Sequence, residues 1–436
     1  MTDVITEVRA RRVWDSRGRP TVEVEITTAS GARGRAIAPA GASMGSGEAT
    51  DLRDGGTRLG GLDVRTAVAN VKDAITPKLL GLDVADQSGI DQLLDDLDPS
   101  PTRSVLGGNA TVATSLAVLH AAAASVGLPT WRHLDPQPVR IPRPQVQIIG
   151  GGAHAARRVD LQDFMVVPIS ATRIDDALEQ IAEVYLSVGA LFRKRGPVLG
   201  VADEGGHWPA VDRNEQALEL LTEGIAATGL VPGIDLAISL DIAASEFEQD
   251  GRYTLASEDR TYERDAWLDV LEGWLSSYPI VAIEDPAGEH DPTGMVDFTA
   301  RAAGRSLVVG DDFLVTDPAR IRAAAALGAC DTALIKVNQA GTVTRTAAAH
   351  GAARDAGWAT IVSARSGETE DISVAHLAVG WGADILKVGS ITRSERTAKW
   401  NELIRIDDEL GGVPMAPFPL PTDEPADELA DEGETP

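Results

Sequence analysis

Six short apolar runs in the second half of the chain each end at a charged residue, and this repetition limits the fold more than any other feature. Each run is followed by a segment with helical periodicity, and four of the five intervals between successive runs are roughly two to three dozen residues, the length of one strand plus one helix. Such a repeat predicts a parallel β/α structure, and a closed barrel is its simplest form. The charged residues of the six runs are Asp241, Glu284, Asp311, Lys336, Arg365 and Lys387.

The charges at the ends of these runs indicate where chemistry would take place. In a parallel barrel every strand ends at the same rim, and active sites lie at that rim. Charged residues at the carboxyl ends of six strands would therefore gather at one mouth. A simpler interpretation is that each charge stops its strand at the surface, but six charges at matching positions favour a shared site.

The chain divides at a proline-rich segment. Residues 4–38 alternate between apolar and polar positions, as in TVEVEITT, which predicts a small antiparallel sheet, and residues 48–131 have helical periodicity. We therefore predict an N-terminal α+β domain over residues 1–134 and a β/α barrel over residues 135–410, which begins with DPQPVRIPRP. Residues 411–436 are rich in proline and acidic residues, which predicts a disordered or loosely docked tail.

The composition argues against several classes of partner. A formal net charge of -27 opposes binding to nucleic acid or to an anionic membrane, because long-range repulsion slows the encounter. The single cysteine, Cys330, cannot form an internal disulfide, and the N-terminus has no apolar core of signal-peptide length. The most apolar segment, residues 113–126, is too short to span a bilayer and is predicted to be a buried helix. We expect a cytoplasmic protein.

Three of the strand-end residues are carboxylates, which suit a magnesium ion. Asp241, Glu284 and Asp311 would offer oxygen ligands without an accompanying His or Cys, and this set favours Mg2+ over Zn2+. Lys336 and Lys387 are expected on the opposite arc of the mouth, where a lysine near divalent cations loses its proton more easily. Such a lysine could remove a proton from the carbon beside a carboxylate. The alternative is that both lysines only pair with the acids.

Long motifs along almost the whole chain resemble the enolase family. The motifs are DSRGRPTVEVE, LRDGG, GGAHA, DEGG, LDIAASEF, YPIVAIEDP, VGDDFLVT, LIKVNQAGT, SARSGETED and KVGSITRSER. The resemblance implies an enolase-type (β/α)8 barrel with an N-terminal α+β domain. It also implies dehydration of 2-phosphoglycerate to phosphoenolpyruvate, two Mg2+ sites and a homodimer or higher homo-oligomer.

The resemblance assigns roles to the residues at matching positions. The implied metal ligands are Asp241, Glu284 and Asp311 for a first Mg2+, and Ser43 for a second. The implied catalytic residues are Lys336 as the base, Glu204 as the acid on the leaving-group side, and Asp163. The implied substrate contacts are His154, Gln162, Lys387 for the carboxylate, Arg365 and Ser366 for the phosphate, and Ser43.

The departures from the family lie on the side of the site from which the leaving group departs. The family's Ser-His-Arg is Ser-Ala-Arg here, with Ala364 in place of the histidine, and the family's Gln-Glu-Phe-Met is Gln-Asp-Phe-Met, with Asp163 in place of the glutamate. Hydroxide is a poor leaving group that needs a positioned acid. These changes would weaken ordinary dehydration, and they are expected to enlarge the space for a better leaving group such as phosphate.

This profile resembles enolase relatives that act as carboxyphosphonoenolpyruvate synthases in the biosynthesis of phosphinate natural products such as phosphinothricin. The resemblance implies a phosphoglycerate-type substrate and a nucleotide-activated phosphonoformate as the second substrate. Two alternatives stay open. The chain could be a divergent phosphopyruvate hydratase, or a catalytically silent enolase-like protein used for binding.

Overall fold

The N-terminal part of the protein is a three-stranded antiparallel sheet covered by helices. The computed structural model describes residues 2–42, 44–196 and 200–420. The sheet strands are β1 (Ile5–Trp14), β2 (Pro20–Thr28) and β3 (Arg33–Ile37). The helices that follow are α1 (Arg65–Asn70), α2 (Thr76–Leu79), α3 (Gln87–Leu97), α4 (Gly108–Ser125) and α5 (Thr130–Leu134), with a π-helical turn over Val71–Ile75.

Helix α4 is the buried helix predicted from its apolar sequence, and it packs against β2 and β3. The contact is close at Gly34 on β3, where an added Cβ would collide with the backbone of Ala117 and Ala121. A glycine on a strand often marks such a close approach. This packing forms the N-terminal part of an apolar cluster that continues into the barrel domain.

The remaining strands supply a closed barrel and one small side sheet. In chain order they are β4 (Arg143–Gly150), β5 (Asp163–Pro168), β6 (Leu236–Asp241), β7 (Glu248–Gln249), β8 (Arg252–Leu255), β9 (Arg260–Glu263), β10 (Ile280–Glu284), β11 (Leu307–Gly310), β12 (Thr332–Ile335), β13 (Ala359–Ser363) and β14 (Ile385–Gly389). Strands β7, β8 and β9 form the side sheet, and the other eight close the barrel in the order β4, β5, β6, β10, β11, β12, β13, β14.

Helices follow most barrel strands. They are α6 (Ile174–Arg195), α7 (Asn214–Ala227), α8 (Arg264–Ser277), α9 (Pro292–Ala302), α10 (Pro318–Leu327), α11 (Val337–Ala340), α12 (Val343–Asp355), α13 (Ser373–Gly380) and α14 (Ser394–Glu409). Helices α9 and α10 each begin with a proline at the first turn after an aspartate whose side chain accepts backbone N–H groups, a favourable helix start. The expected α/β fold, a barrel preceded by an α+β domain, is therefore present. No helix in the described part of the chain is long and apolar enough to cross a membrane.

The parallel repeat predicted from the sequence holds from β6 to β14, but β5 runs antiparallel to both of its neighbours. The link between β4 and β5 contains only a short 3-10 turn, Gly152–Ala155, and parallel strands need a longer crossover, usually a helix. The reversal has a direct consequence for the site. The first residue of β5, Asp163, pairs with the last residue of β6, Asp241, so Asp163 lies at the mouth.

The interior of the barrel is filled by apolar side chains from alternate strand positions. They are Ala282, Leu307, Val309, Leu334, Ile361 and Ile385, with Phe418 and Leu420 packed against them. Met415 and Ala416 are also buried, and the N–H of Met415 donates to the carbonyl of Thr172. The first ten residues of the predicted tail therefore pack against the barrel, and its last sixteen, 421–436, lie outside the described residues.

Candidate active site

The six strand-end charges predicted from the sequence meet at one mouth of the barrel and are buried there. Asp241 and Glu284 are the last residues of β6 and β10, and Asp311 and Lys336 directly follow β11 and β12. None of the six is more than 8% exposed. Charged side chains are rarely buried unless they are paired, so their partners determine what the site can do.

Lys387 reaches across the barrel to two of the carboxylates. Its strand, β14, is separated from β6 by β4 and β5, and its Nζ lies 2.9 Å from Oδ2 of Asp241 and 2.7 Å from Oε2 of Glu284. Burial lowers the pKa of Lys387, but Asp241 and Glu284 outweigh it and hold that pKa well above the ordinary value. Burial and the charge of Asp241 likewise raise the pKa of Glu284 well above its usual range.

We expected Lys336 on the opposite arc from the carboxylates, and this expectation is wrong. Lys336 follows β12, which pairs with β11, the strand that precedes Asp311. Its Nζ lies 2.5 Å from Oδ2 of Asp311, and Oδ1 of Asp311 accepts a 2.8 Å hydrogen bond from Gln339. Burial lowers the pKa of Lys336, and the adjacent Asp311 more than offsets this, so the pKa is raised. In the described structure both lysines pair with acids, and the raised pKa keeps Lys336 protonated at neutral pH.

The carboxylates at the mouth could hold a metal ion. Oε1 of Glu284 is buried without a hydrogen-bond partner in the described structure, and such an acceptor is costly unless something binds it. Asp285, Asp311 and Asp312 also place oxygen atoms within 4.8 Å of one another. The donors are all oxygens, which is the set that Mg2+ prefers. The remaining predicted ligand, Ser43, lies outside the described residues.

Arg365 and Ser366, the predicted phosphate contacts, lie beside each other after β13. Nη1 of Arg365 is 2.9 Å from Oε2 of Glu48, and Oγ of Ser366 accepts a 3.1 Å hydrogen bond from Nη1 of Arg17. The sequence interpretation did not select Glu48 or Arg17 as site residues. The DSRG part of the first motif contains Arg17, but nothing in the sequence indicates its contact with a residue 349 positions away.

A second group of ionisable side chains lies where the leaving group is expected. His154, Asp163 and Glu204 bring nitrogen and oxygen atoms within 4.8 Å of one another. Nδ1 of His154 lies 2.8 Å from Oδ1 of Asp163, and its Nε2 lies 3.8 Å from Oε1 of Glu204. Gln162 donates a 3.2 Å hydrogen bond to Asp241. The structure thus brings together the predicted residues of this side.

Burial and neighbouring charges shift the pKa values of this group in different directions. Burial lowers the pKa of His154, but Asp163 and Glu204 overcome it and raise the pKa to about 9. Burial raises the pKa of Asp163, but His154 outweighs it and lowers the pKa to about 2. Burial also raises the pKa of Glu204. At neutral pH, Asp163 is therefore a carboxylate and His154 carries the proton.

The two family departures, Ala364 and Asp163, have different surroundings. Ala364 lines, with Ser363 and Glu368, a cavity of about 20 Å³, which is room for about one water molecule. Beside Asp163, the amide nitrogen Nε2 of Gln147 makes a short hydrogen bond to Oδ1. None of His154, Asp163 and Glu204 lines the cavity at Ala364, so it is not the space beside the leaving group. The expectation that the two departures enlarge the leaving-group space therefore stays a prediction.

Two family models match the chain. The model described as the N-terminal domain of enolase matches residues 5–134. The model described as the C-terminal TIM barrel domain of enolase matches residues 138–416. The two matches meet at the proline-rich segment and together span nearly all of the described structure.

Proposed function

The chain belongs to the enolase family, and from this premise we propose that Lys336 removes the proton from the carbon beside the carboxylate of a phosphoglycerate-type substrate. The observation that carries the proposal is the burial of Lys336 against Asp311, in the same mouth as Lys387 and Arg365. Lys336 becomes a base when its contact with Asp311 is released, because that contact holds its proton. Lys387 and Arg365 supply positive charge for anionic groups of the substrate.

We assign the metal to the carboxylates of the mouth. Asp241, Glu284 and Asp311 are the proposed ligands of one Mg2+, and Ser43 is proposed for a second. Bound there, Mg2+ would supply positive charge that stabilises the negative charge developing on the substrate carboxylate. The unpartnered Oε1 of Glu284 supports this assignment, since it is an acceptor that needs a cation or a donor.

For the complete reaction we propose carboxyphosphonoenolpyruvate formation. The 2-hydroxyl oxygen of a phosphoglycerate forms a bond to the phosphorus of a nucleotide-activated phosphonoformate, and its proton passes to solvent. The nucleoside monophosphate leaves with the electrons of the P–O bond that breaks. Lys336 then takes the C2 proton, the C3–O bond breaks, and inorganic phosphate leaves with the bonding electrons. Phosphate is a better leaving group than hydroxide and depends less on a proton donor. Residue 364 is an alanine, which cannot donate a proton to a departing hydroxide, and this supports a leaving group that depends less on a proton donor.

A specific observation favours ordinary 2-phosphoglycerate dehydration as a second candidate. The pKa of Glu204 is raised by burial, and His154 stays protonated beside it. A neutral carboxyl group or an imidazolium can each donate a proton to a departing hydroxide. The site therefore keeps potential acids even though the family's histidine is absent at position 364.

Product analysis by 31P nuclear magnetic resonance separates the two candidates. With Mg2+ and 2-phosphoglycerate alone, we expect little or no phosphoenolpyruvate. With Mg2+, 3-phosphoglycerate and a nucleotide-activated phosphonoformate, we expect carboxyphosphonoenolpyruvate, inorganic phosphate and the nucleoside monophosphate in equal amounts. Rapid conversion of 2-phosphoglycerate to phosphoenolpyruvate would overturn the synthase proposal and support the hydratase.

A further inference from the structure

Gln147 is a fully buried glutamine on β4 whose amide is hydrogen-bonded at both ends. Its Oε1 accepts a 2.8 Å hydrogen bond from the backbone N–H of Gly206, and its Nε2 donates to Oδ1 of Asp163. It is not among the residues that the family resemblance selects. Buried polar side chains with both ends occupied commonly fix the position of their neighbours.

The two contacts leave only one orientation for the Gln147 amide. A backbone N–H can only donate, so Oε1 must face Gly206 and the NH2 group must face Asp163. Nδ1 of His154 lies 2.8 Å from the same Asp163 oxygen, and that oxygen now receives two donors. Oδ1 is therefore saturated. The other oxygen, Oδ2, is buried without a hydrogen-bond partner in the described structure and lies 3.9 Å from Nζ of Lys387.

The Gly206 end of Gln147 connects Asp163 to the loop that carries Glu204. That loop is further held by the N–H of His207, which donates to the carbonyl of Ile148, and by the N–H of Asp203, which donates to the carbonyl of His154. A Cβ added at Gly206 would lie 2.5 Å from Oε1 of Gln147. The loop thus fits closely around the amide, and Gln147 links both acidic residues of this side.

We propose that Gln147 is a positioning residue for the leaving-group side: it occupies the space beside the short Asp163 side chain, holds Oδ1 against His154, and leaves only Oδ2 for the substrate. This inference rests on the proposed function in one respect, the identity of that side. It specifies the substrate contact, because a buried carboxylate oxygen accepts a hydrogen bond from a hydroxyl, a water or a protonated phosphate oxygen and repels an unprotonated one.

The family's glutamate would not fit at position 163 beside Gln147. An added methylene in Asp163→Glu would press the carboxylate into Nε2 of Gln147 and Nδ1 of His154, and overpacked sites force side chains out of position. A shorter residue at position 147 would make room for it. Substitutions at positions 147 and 163 are therefore expected to be coupled: a longer side chain at position 163 should be tolerated only with a shorter side chain at position 147.

Histidine NMR tests the inference without depending on the reaction. The charged groups that face His154 are Asp163 on β5, Glu204 on its loop and Asp241 on β6, with Lys387 beyond Asp163. In protein labelled at its seven histidines, the His154 signal is assigned by its loss in His154→Gln. The wild-type protein should titrate His154 at about 9.

Three variants give the decisive comparison. In Gln147→Asn and in Asp163→Glu the carboxylate is no longer held against His154, so the pKa of His154 should fall by about one unit. In the double variant it should return to near the wild-type value. Gln145→Asn is the matched control, since Gln145 is a buried glutamine of the same strand that contacts Ser239 and Met165. An unchanged pKa in Gln147→Asn, or no recovery in the double variant, would overturn the inference.

A second measurement distinguishes a failure of this inference from a failure of the proposed function. Exchange of the C2 proton of 2-phosphoglycerate with deuterium oxide, in the presence of Mg2+, reports proton removal by Lys336 alone. Gln147→Asn should retain exchange within about twofold of wild type, because Gln147 does not touch Lys336. Loss of exchange in wild type would refute the proposed base while leaving the His154 titrations valid, and selective loss in Gln147→Asn would contradict a role confined to the leaving-group side.

Discussion

Lys387 supplies a buried positive charge at the barrel mouth. Two buried carboxylates, Asp241 and Glu284, share its single ammonium group. Taking such charges out of water is costly, and the loss of one member leaves the others uncompensated. We therefore expect the lysine to stabilise the fold by compensating these two charges, in addition to its proposed contact with the substrate carboxylate.

Substitution of Lys387 by methionine should destabilise the metal-free protein and be partly rescued by magnesium. In EDTA we expect the free energy of unfolding to fall by about 3–5 kcal/mol, because two buried acids lose their counter-charge. Added Mg2+ should restore part of this loss by binding the folded state. Urea unfolding with and without Mg2+ measures both effects. Lys72→Met, at an exposed position, is the control, and equal stability of Lys387→Met and wild type in EDTA would refute the account.

His154 should give the protein a stability that depends on pH. Its pKa is about 9 in the folded state, against about 6.5 for an unperturbed histidine in the unfolded chain. Because the folded value is the higher one, the stabilisation is fully present below about pH 6.5 and disappears as the pH rises through about 9.

The variant His154→Gln should therefore differ most from wild type in acid. We expect wild type to be more stable by up to about 3 kcal/mol at about pH 6, and the difference to narrow by about pH 9.5. Urea unfolding at the two pH values measures the change. His290→Gln, at a side chain that is 77% exposed, should show no such trend. A difference that grows towards high pH would contradict a raised pKa.

Among the secondary-structure elements, the reversed strand β5 matters most for the site. Its direction brings its first residue, Asp163, to the rim where the other strands end, next to Asp241. The sequence predicted that the charges at the ends of β6 and β10 to β14 share one mouth. The prediction was possible because apolar runs and helical segments alternate regularly, which is typical of parallel strands. The direction of β5 could not be predicted from the apolar run DFMVVP, since such a run contains no information about which end meets the mouth.

Contacts between distant parts of the chain could not be predicted from the sequence either. The side-chain partners of Asp163 include Gln147 from β4, and Glu48 from the N-terminal domain contacts Arg365, 317 positions later. A motif identifies residue types, but which two side chains meet depends on strand register and loop packing. For the same reason the lysine–carboxylate pairs of the mouth were only one of two open interpretations until the structure placed them.

The segment that follows α14 should be an integral part of the barrel. Met415 and Ala416 are buried, and Phe418 and Leu420 pack against the interior residues. Deletion of residues 413–436 should lower the free energy of unfolding by at least about 2 kcal/mol relative to deletion of 421–436, since it re-exposes this apolar surface. Thermal unfolding of the two truncated proteins measures the difference. Equal stability would show that residues 413–420 contribute nothing to the barrel.

At the scale of the whole molecule, the fold alone does not determine the reaction. Membership of the enolase family fixes a barrel with its site at the strand ends, but one barrel supports many reactions through changes in a few side chains. In this chain the residues proposed for proton removal are buried together, while Ala364 and Asp163 lie on the proposed leaving-group side. The two candidate functions share the proposed base and differ on that side.

The most direct test of the account is deuterium exchange at C2 of 2-phosphoglycerate, followed by proton NMR in the presence of Mg2+. Wild-type protein should exchange the C2 proton with solvent, and Lys336→Met should lower the rate by at least about a hundredfold, as expected for loss of a general base. Lys72→Met should exchange at the wild-type rate. Absence of exchange in wild type, or undiminished exchange in a folded Lys336→Met protein, would contradict the assignment of Lys336 as the base.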